Sequence, residues 1–395
     1  MAAERVCEEA GSALTRQVDL AMLFVSGEHA EHTSAMAEVV RRQLGPGTLV
    51  AVSAEGVLAQ GQEAERRPAA ALFAATLPGV SIHPFTYRQI PHIPDENDGE
   101  ALVRVAQAVG ARADLRATFF FADPYSIPAA SAVQTIAAAR LAVPGLVRLP
   151  VIGGMASSGT APGGNILVLN GEVMRAGGIG LSIRGDVAID TLVSQGCRPI
   201  GKPLIVTGAQ RNVIKTLGGM RAMDALREIV TGLSEPERSL LPRGMFIGRV
   251  INEYKDRFGR GDFLIRGVMG ADEKSGAIAV ADGVRVGQTI QFHLRDAATA
   301  SEDLRLLLDA QELLGPAAGG LLFTCNGRGK RLFEEPSHDA QAVSRAMAPD
   351  GSPFPLAGFF AAGEIGPIGN QSFVHGHTAC LALLRPWRPP SITDV

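Results

Sequence analysis

The densest chemistry in the sequence lies between Cys325 and His377. The run Cys325-Asn326-Gly327-Arg328-Gly329-Lys330-Arg331 gathers a thiol, an amide and three cations on one glycine-punctuated turn. Glycine lets the backbone bend sharply there and lets a ligand approach closely. Such a turn can offer backbone N–H groups and a guanidinium fork to an anion, a carboxylate above all. A solvated basic turn is the alternative. It is not a P-loop, because G-x-x-x-x-G-K-[ST] is absent. Further on, Glu364 follows the small-residue turn Ala361-Ala362-Gly363, and Asn370, Gln371, His375 and His377 come after it. Few polar groups of mixed type suit a small polar or zwitterionic molecule. Arg328 then meets the ligand carboxylate and Glu364 its ammonium group.

Two other groupings invite chemistry. Ser157-Ser158-Gly159 ends a strand pattern as a nucleophile elbow does, but Met155 stands where G-x-S-x-G needs its first glycine. The paired hydroxyls fit ligand binding better than acyl transfer. His375-Gly376-His377 sets both imidazoles on one strand face, a spacing that metals use. No third ligand follows at a diagnostic spacing, so the pair is read as lining a polar cavity and no metal is assigned. Cys325 ends an apolar run without a local base, the setting of a small buried hydrophobe. The expected ligand-binding set is therefore Ser157, Ser158, Cys325, Asn326, Arg328, Glu364, His375 and His377. No catalytic residue is assigned. An enzyme using Cys325, Glu364 and the two histidines is the alternative class.

These turns need strands to hold them. Gly319–Cys325 and Leu356–Phe360 read as buried strands, being short apolar runs between glycine signals. The same unit occurs three times. Leu49-Val-Ala-Val-Ser-Ala-Glu-Gly56 aligns with Ile152-Gly-Gly-Met-Ala-Ser-Ser-Gly159 and with Leu356-Ala-Gly-Phe-Phe-Ala-Ala-Gly363. Strands over 21–26, 117–122 and 321–325 precede them, with a helical segment between in each case. Three β-α-β units follow, with their turns at equivalent sheet edges. Helices are expected over 4–15, 32–44, 100–109 (capped by Asp98), 129–141, 220–230 and 302–314, the last with Thr299 and Glu302 as a capping box. Glu63 to Pro68 reads as an exposed connection, and Phe85, Pro91 and Pro94 mark extended chain. Cys197 to Pro203 reads as a proline-interrupted junction. The segment from 245 to 293 is strand-rich and antiparallel, and the tail from Arg385 is irregular. The fold class is α/β, with α+β character in the C-terminal half, as two related domains on mixed sheets.

Composition narrows the function classes. The 395 residues are 46% hydrophobic and 19% charged, which supports packed cores and argues against general disorder. A net charge of −3 carries no nucleic-acid footprint. Cys7, Cys197, Cys325 and Cys380 are widely spaced and form no C-x-x-C, as expected of reduced thiols. There is no secretory pattern at the N-terminus and no apolar run long enough to span a bilayer. A cytoplasmic protein without membrane contact is expected. No G-x-G-x-x-G follows a strand, although Gly177-Gly178-Ile179-Gly180 approaches one, so no cofactor is expected.

The chain resembles proteins carrying the FIST domain pair, found in bacterial sensory proteins and in one eukaryotic F-box protein. The segments that carry the likeness are Ala51-Val-Ser-Ala-Glu-Gly56 with Glu63 and Glu65, Val151-Ile-Gly-Gly-Met155, and Pro199-Ile-Gly-Lys-Pro203 with Val206 and Thr207. More specific are Phe323-Thr-Cys-Asn-Gly-Arg-Gly329 and Gly358-Phe-Phe-Ala-Ala-Gly-Glu-Ile-Gly366, with His375 and Thr378. The resemblance implies an N-terminal extension over 1–19, domains over 20–218 and 219–385, and a tail over 386–395. It also implies a small-ligand sensor, with amino acids or their derivatives as ligands. Kinase, methyl-acceptor and cyclase modules, to which such domains are sometimes fused, are not found in these residues. The output is then expected to pass through a protein partner.

Overall fold

The computed structural model describes residues 2–14, 16–91 and 98–387. Pro94 and the tail beyond 387 lie outside them. The chain forms two compact units that interleave in sequence. One comprises Met1–Val193, Leu307–Val374 and Thr378–Val395; the other comprises Ser194–Leu306 and His375–His377.

The first unit holds all three β-α-β motifs. Leu20–Ser26 pairs in parallel with Thr48–Ala54 across helix Thr33–Leu44. Leu115–Ala122 does so with Val151–Met155 across Ala129–Ala138. Gly319–Cys325 does so with Leu356–Ala361 across His338–Met347. Each pair nucleates its own sheet. The apolar runs are continuous because both faces of these strands are covered, as parallel strands require. In Leu20–Ser26, for instance, Met22 and Phe24 enter a core shared by the three sheets, while Ala21, Leu23 and Val25 pack outward with Val40 of the helix behind them.

The sheets are completed by exchange. The hairpin Gly56–Ala59/Gln62–Glu65, which follows the first motif, pairs with Leu356–Ala361 of the third. The hairpin Leu167–Leu169/Glu172–Met174, after the second motif, pairs with Thr48–Ala54 of the first. Glu364–Ile368, after the third motif, pairs with Val151–Met155 of the second. Each motif thus gives its hairpin to a neighbour. The next strand returns antiparallel to the motif's own first strand: Ala70–Ala75, Gly178–Gly185 and Thr378–Pro386. At the centre Phe24, Phe121 and Phe323, one from each first strand, meet pairwise with ring centroids 6.3, 6.3 and 5.6 Å apart. Register from these rings corrects the sequence alignment by one residue. Val25 pairs with Ser53, Ala122 with Met155 and Thr324 with Phe360, so Ala156, not Ser157, matches Ala54 and Ala361.

The second unit is antiparallel, as its glycine-punctuated strands suggest. Cys197–Gln210, Thr289–Arg295, Met245–Val250, Phe263–Asp272, Ala277–Val280 and Val213–Leu217 follow one another, and the last pairs back to the first. The ring is closed by that pairing, and the two-residue strand Met220–Arg221 adds to Val213–Leu217 as a short edge. Ile247, Phe292 and Ile278 fill its core with Ala222 and Ala225 of helix Ala222–Thr231.

Four local expectations change. Glu63 does not lie in an exposed connection but in strand Gln62–Glu65, 6% exposed, because that strand extends a distant sheet. Cys197–Pro203 is no junction: the strand runs through, and a register shift between Ile200 and Leu204 accommodates Gly201 and Pro203. The helix expected at Glu302 begins at Ala297, where Asp296 accepts from the Ala298 N–H at 3.1 Å. Arg385 and Pro386 are not irregular but end strand Thr378–Pro386. No described helix is long and apolar enough to cross a membrane.

Candidate functional site

Strand Gly319–Cys325 ends at the turn that the sequence singles out. The Arg328 N–H donates to the Cys325 carbonyl at 2.7 Å, and Gly329 follows at φ 57°, a left-handed conformation that suits glycine. The turn carries Arg328 inward, where it is 0% exposed, and leaves Lys330 and Arg331 outside. The solvated-turn alternative therefore fails for Arg328. Its Nε and Nη2 donate to Asp339 Oδ2 and Oδ1 at 2.6 and 2.9 Å, the bidentate geometry that suits a guanidinium fork. Asp339 is placed by the first turn of helix His338–Met347. It also accepts from Thr324 Oγ1 at 2.9 Å and contacts His338 Nδ1 at 2.9 Å. The His338 ring stacks on Phe333 with centroids 3.6 Å apart. Burial alone would raise the Asp339 carboxyl. The adjoining guanidinium outweighs it and holds the group well below the usual carboxylate range.

Two further carboxyls flank this pair. Glu63 arrives on the hairpin exchanged from the first motif, and its Oε1 accepts from the Ala340 N–H at 3.0 Å. Burial, then the charge of Asp339, pushes its carboxyl up. Glu364, within electrostatic reach of Arg328, is 0% exposed. Its Oε2 accepts from the Thr378 N–H at 3.0 Å and the Thr378 hydroxyl at 2.7 Å, and Cys325 hydrogen-bonds the same carboxyl. Burial pushes Glu364 up to about 8 despite these bonds. Repeat symmetry makes Glu364 stand out. It pairs with Gly154 as Val57 pairs with Phe359 and Leu167 with Val52, so a carboxyl occupies a position that is aliphatic in the other two sheets.

Protein interiors rarely leave polar atoms unpaired, yet several gather here. Arg328 Nη1, Glu364 Oε1, Glu63 Oε2 and Asn326 Oδ1 are buried without a hydrogen-bond partner. Beside them a shallow cleft is lined by Glu55, Gly56, Glu65, Asn326 and Phe360. The carboxylate anticipated at the glycine turn is present there as the chain's own Glu65, which accepts from the Lys330 N–H at 3.1 and 3.2 Å. Arg331 reaches outward to Glu55 at 2.6 Å.

Cys325, Asn326, Arg328 and Glu364 are thus brought together, and the other expected residues are placed differently. Ser157 donates to the Phe360 carbonyl and accepts from the Glu55 N–H at 2.8 Å, which ties the three motifs to one another. Ser158 shares a 2.6 Å hydrogen bond with Ser53 and contacts Asn165 Oδ1 at 3.2 Å. His375 and His377 fall in the second unit and do not share a strand face. His375 ends its strand, whereas His377 lies beyond it at φ 63° with its ring 4.2 Å from that of Phe246. Among the described residues no group of three or more His, Cys, Asp or Glu side chains is placed to hold a metal ion.

The site set read from the sequence omits Glu63, Thr324, Asp339 and Thr378. Glu63, Thr324 and Thr378 stand among the segments that carry the family likeness, which was the signal available. Asp339 had none, since an acid in the first turn of a helix is ordinary at the surface.

Comparison with known proteins agrees with this framework. The FIST N domain matches residues 19–220 and the FIST C domain residues 222–367. The uncharacterized protein Rv0628c of Mycobacterium tuberculosis is 40% identical over 369 residues, covering 92% of this chain and 90% of that protein. The uncharacterized protein Mb0898c of Mycobacterium bovis is 39% identical over 366 residues, with coverage of 92% and 90%. FIST domains are associated in general with small-ligand sensing in signalling proteins. This chain belongs to the FIST family, with an N-terminal and a C-terminal FIST domain in tandem.

Proposed function

We propose that the protein is a cytoplasmic small-ligand sensor whose ligand is seated at the Cys325–Asn326–Arg328–Glu364 cluster. The supporting observation is that Arg328 and Glu364, both wholly buried, each keep one polar atom without a partner. A ligand that satisfies both atoms gains charge-assisted hydrogen bonds in a low-dielectric setting, where they are strongest. An amino acid or derivative fits, with its carboxylate toward Arg328 Nη1 and its ammonium group toward Glu364. The sensor spans sequence modules 20–218 and 219–385, and its output passes through a protein partner.

Thermal-shift screening with amino acids, short peptides and related metabolites tests the reading. At about 100 times the dissociation constant, binding adds roughly 2.7 kcal/mol of stability. A hit whose shift persists in Glu364→Gln and Asn326→Ala alike places the ligand elsewhere. A flat screen across all three classes overturns the ligand class.

A further inference from the structure

Of the four thiols, Cys7, Cys197 and Cys380 are buried, while Cys325 is partly exposed. The Gly327 N–H donates to its sulfur at 3.4 Å, and the thiolate is the nucleophilic form of such a group. The Arg328 guanidinium lies within electrostatic reach of both Cys325 and Glu364. Two of its nitrogens are taken by Asp339, and Nη1 is buried without a partner. Glu364 Oε2 is occupied by both Thr378 donors, so a proton on this carboxyl belongs on Oε1. A partly exposed thiol, a buried guanidinium nitrogen without a partner and a buried carboxyl oxygen without a partner therefore belong to one cluster, in which Arg328 interacts electrostatically with both other groups.

We propose that Cys325 is a site of oxidation by hydroperoxides to sulfenic acid, with Glu364 as proton donor to the departing oxygen and Arg328 Nη1 as donor to the oxygen left on sulfur. The thiol first releases its proton to solvent. The thiolate attacks the hydroxyl oxygen of the hydroperoxide, and the S–O bond forms as the O–O bond breaks. Sulfur loses two electrons and the peroxide gains them. The leaving alkoxide, or hydroxide from hydrogen peroxide, takes the Glu364 proton and departs as alcohol or water. Glu364 regains a proton from solvent. One thiol and one hydroperoxide give one sulfenic acid and one alcohol or water. Burial keeps Glu364 protonated at neutral pH, as a proton donor must be. This chemistry is independent of the ligand proposal, because it needs only the side chains and the peroxide.

The test uses the full, ligand-free chain with stoichiometric hydrogen peroxide and dimedone, a diketone that traps sulfenic acids, read by intact mass and peptide mapping. The expected result is a single adduct on Cys325, with Cys7, Cys197 and Cys380 unlabelled and no adduct in Cys325→Ser. In Glu364→Gln, with its fold checked by circular dichroism, labelling slows by about tenfold or more. Absence of the adduct from folded wild-type protein overturns the proposal without any variant. Labelling of folded Glu364→Gln at the wild-type rate overturns the role of Glu364. Neither result touches the thermal-shift screen, so the two proposals fail separately.

Discussion

Arg328 grips Asp339 through two hydrogen bonds of 2.6 and 2.9 Å where neither side chain meets solvent. Two ions out of water are held there by each other and by few additional bonds. Removing one leaves the other stranded. Asp339→Ala is therefore expected to destabilise the protein by about 3–5 kcal/mol. Replacing both partners together, as Arg328→Met with Asp339→Leu, should cost much less. Urea unfolding of the single and double variants checks this; a harmless Asp339→Ala would refute it.

Glu364 gives stability a pH dependence of definite sign. Its folded carboxyl titrates near 8, against an ordinary value of 4.5. Between these limits the folded state holds more protons than the unfolded chain, so stability falls as pH rises. The contribution is complete below about 4.5 and gone above about 8. Glu63 shifts in the same direction and adds to the slope. Glu364→Gln, which cannot ionise, should gain on the wild type as pH is raised from 5 to 9. Denaturant midpoints measured across that range decide it, and parallel curves would show that Glu364 is ionised in the fold.

The Phe24, Phe121 and Phe323 triangle should behave as one packing unit. Each single Ala substitution is expected to cost about 3–5 kcal/mol, since each empties a buried ring site. Phe24→Ala combined with Phe323→Ala should cost less than the sum, because the two rings touch and share one cavity. A double-mutant cycle measures the difference. Strict additivity would mean that the rings are not coupled.

Gly358 marks where the third motif's strands pack too closely for a side chain. A Cβ there would stand 1.7 Å from the Leu322 carbonyl oxygen. Gly358→Ala should therefore lower stability by about 1–3 kcal/mol or more, through strain in the parallel pair. Melting temperature and soluble yield report it. Gly351→Ala meets no neighbour within 4 Å but sits at φ 79°, so it tests backbone strain without the clash.

Once a ligand is identified, Glu364→Gln should weaken it by about tenfold to a hundredfold, the worth of a charge-assisted hydrogen bond. Titration calorimetry measures this directly. The substitution conserves shape and the contacts to Thr378, so a loss of affinity without a loss of fold points to direct contact.

The sequence alone determined most of the local elements and the family. Strands such as Leu20–Ser26 and Gly319–Cys325 were legible because an apolar run bounded by turn residues has few other solutions. Helix Gly99–Ala108 was legible from its Asp98 cap, which accepts from the Ala101 N–H at 2.9 Å. The three β-α-β motifs showed as a repeat for the same reason. What the sequence could not determine was the destination of each hairpin. Backbone hydrogen bonds at a strand edge are chemically alike, so nothing in Gln62–Glu65 names Leu356–Ala361 as its sheet. That exchange, fixed by the shared core around Phe24, Phe121 and Phe323, brings Glu63 to helix His338–Met347. It also explains the one-residue error at Ser157: small residues at a strand end look alike in sequence, and only the register tells Ala156 from its neighbour. Residue types suggested Arg328 and Glu364 as a pair. Their burial, the grip of Asp339 and the raised Glu364 carboxyl were decided by tertiary packing, because the dielectric around a charge is set by what the rest of the chain places against it.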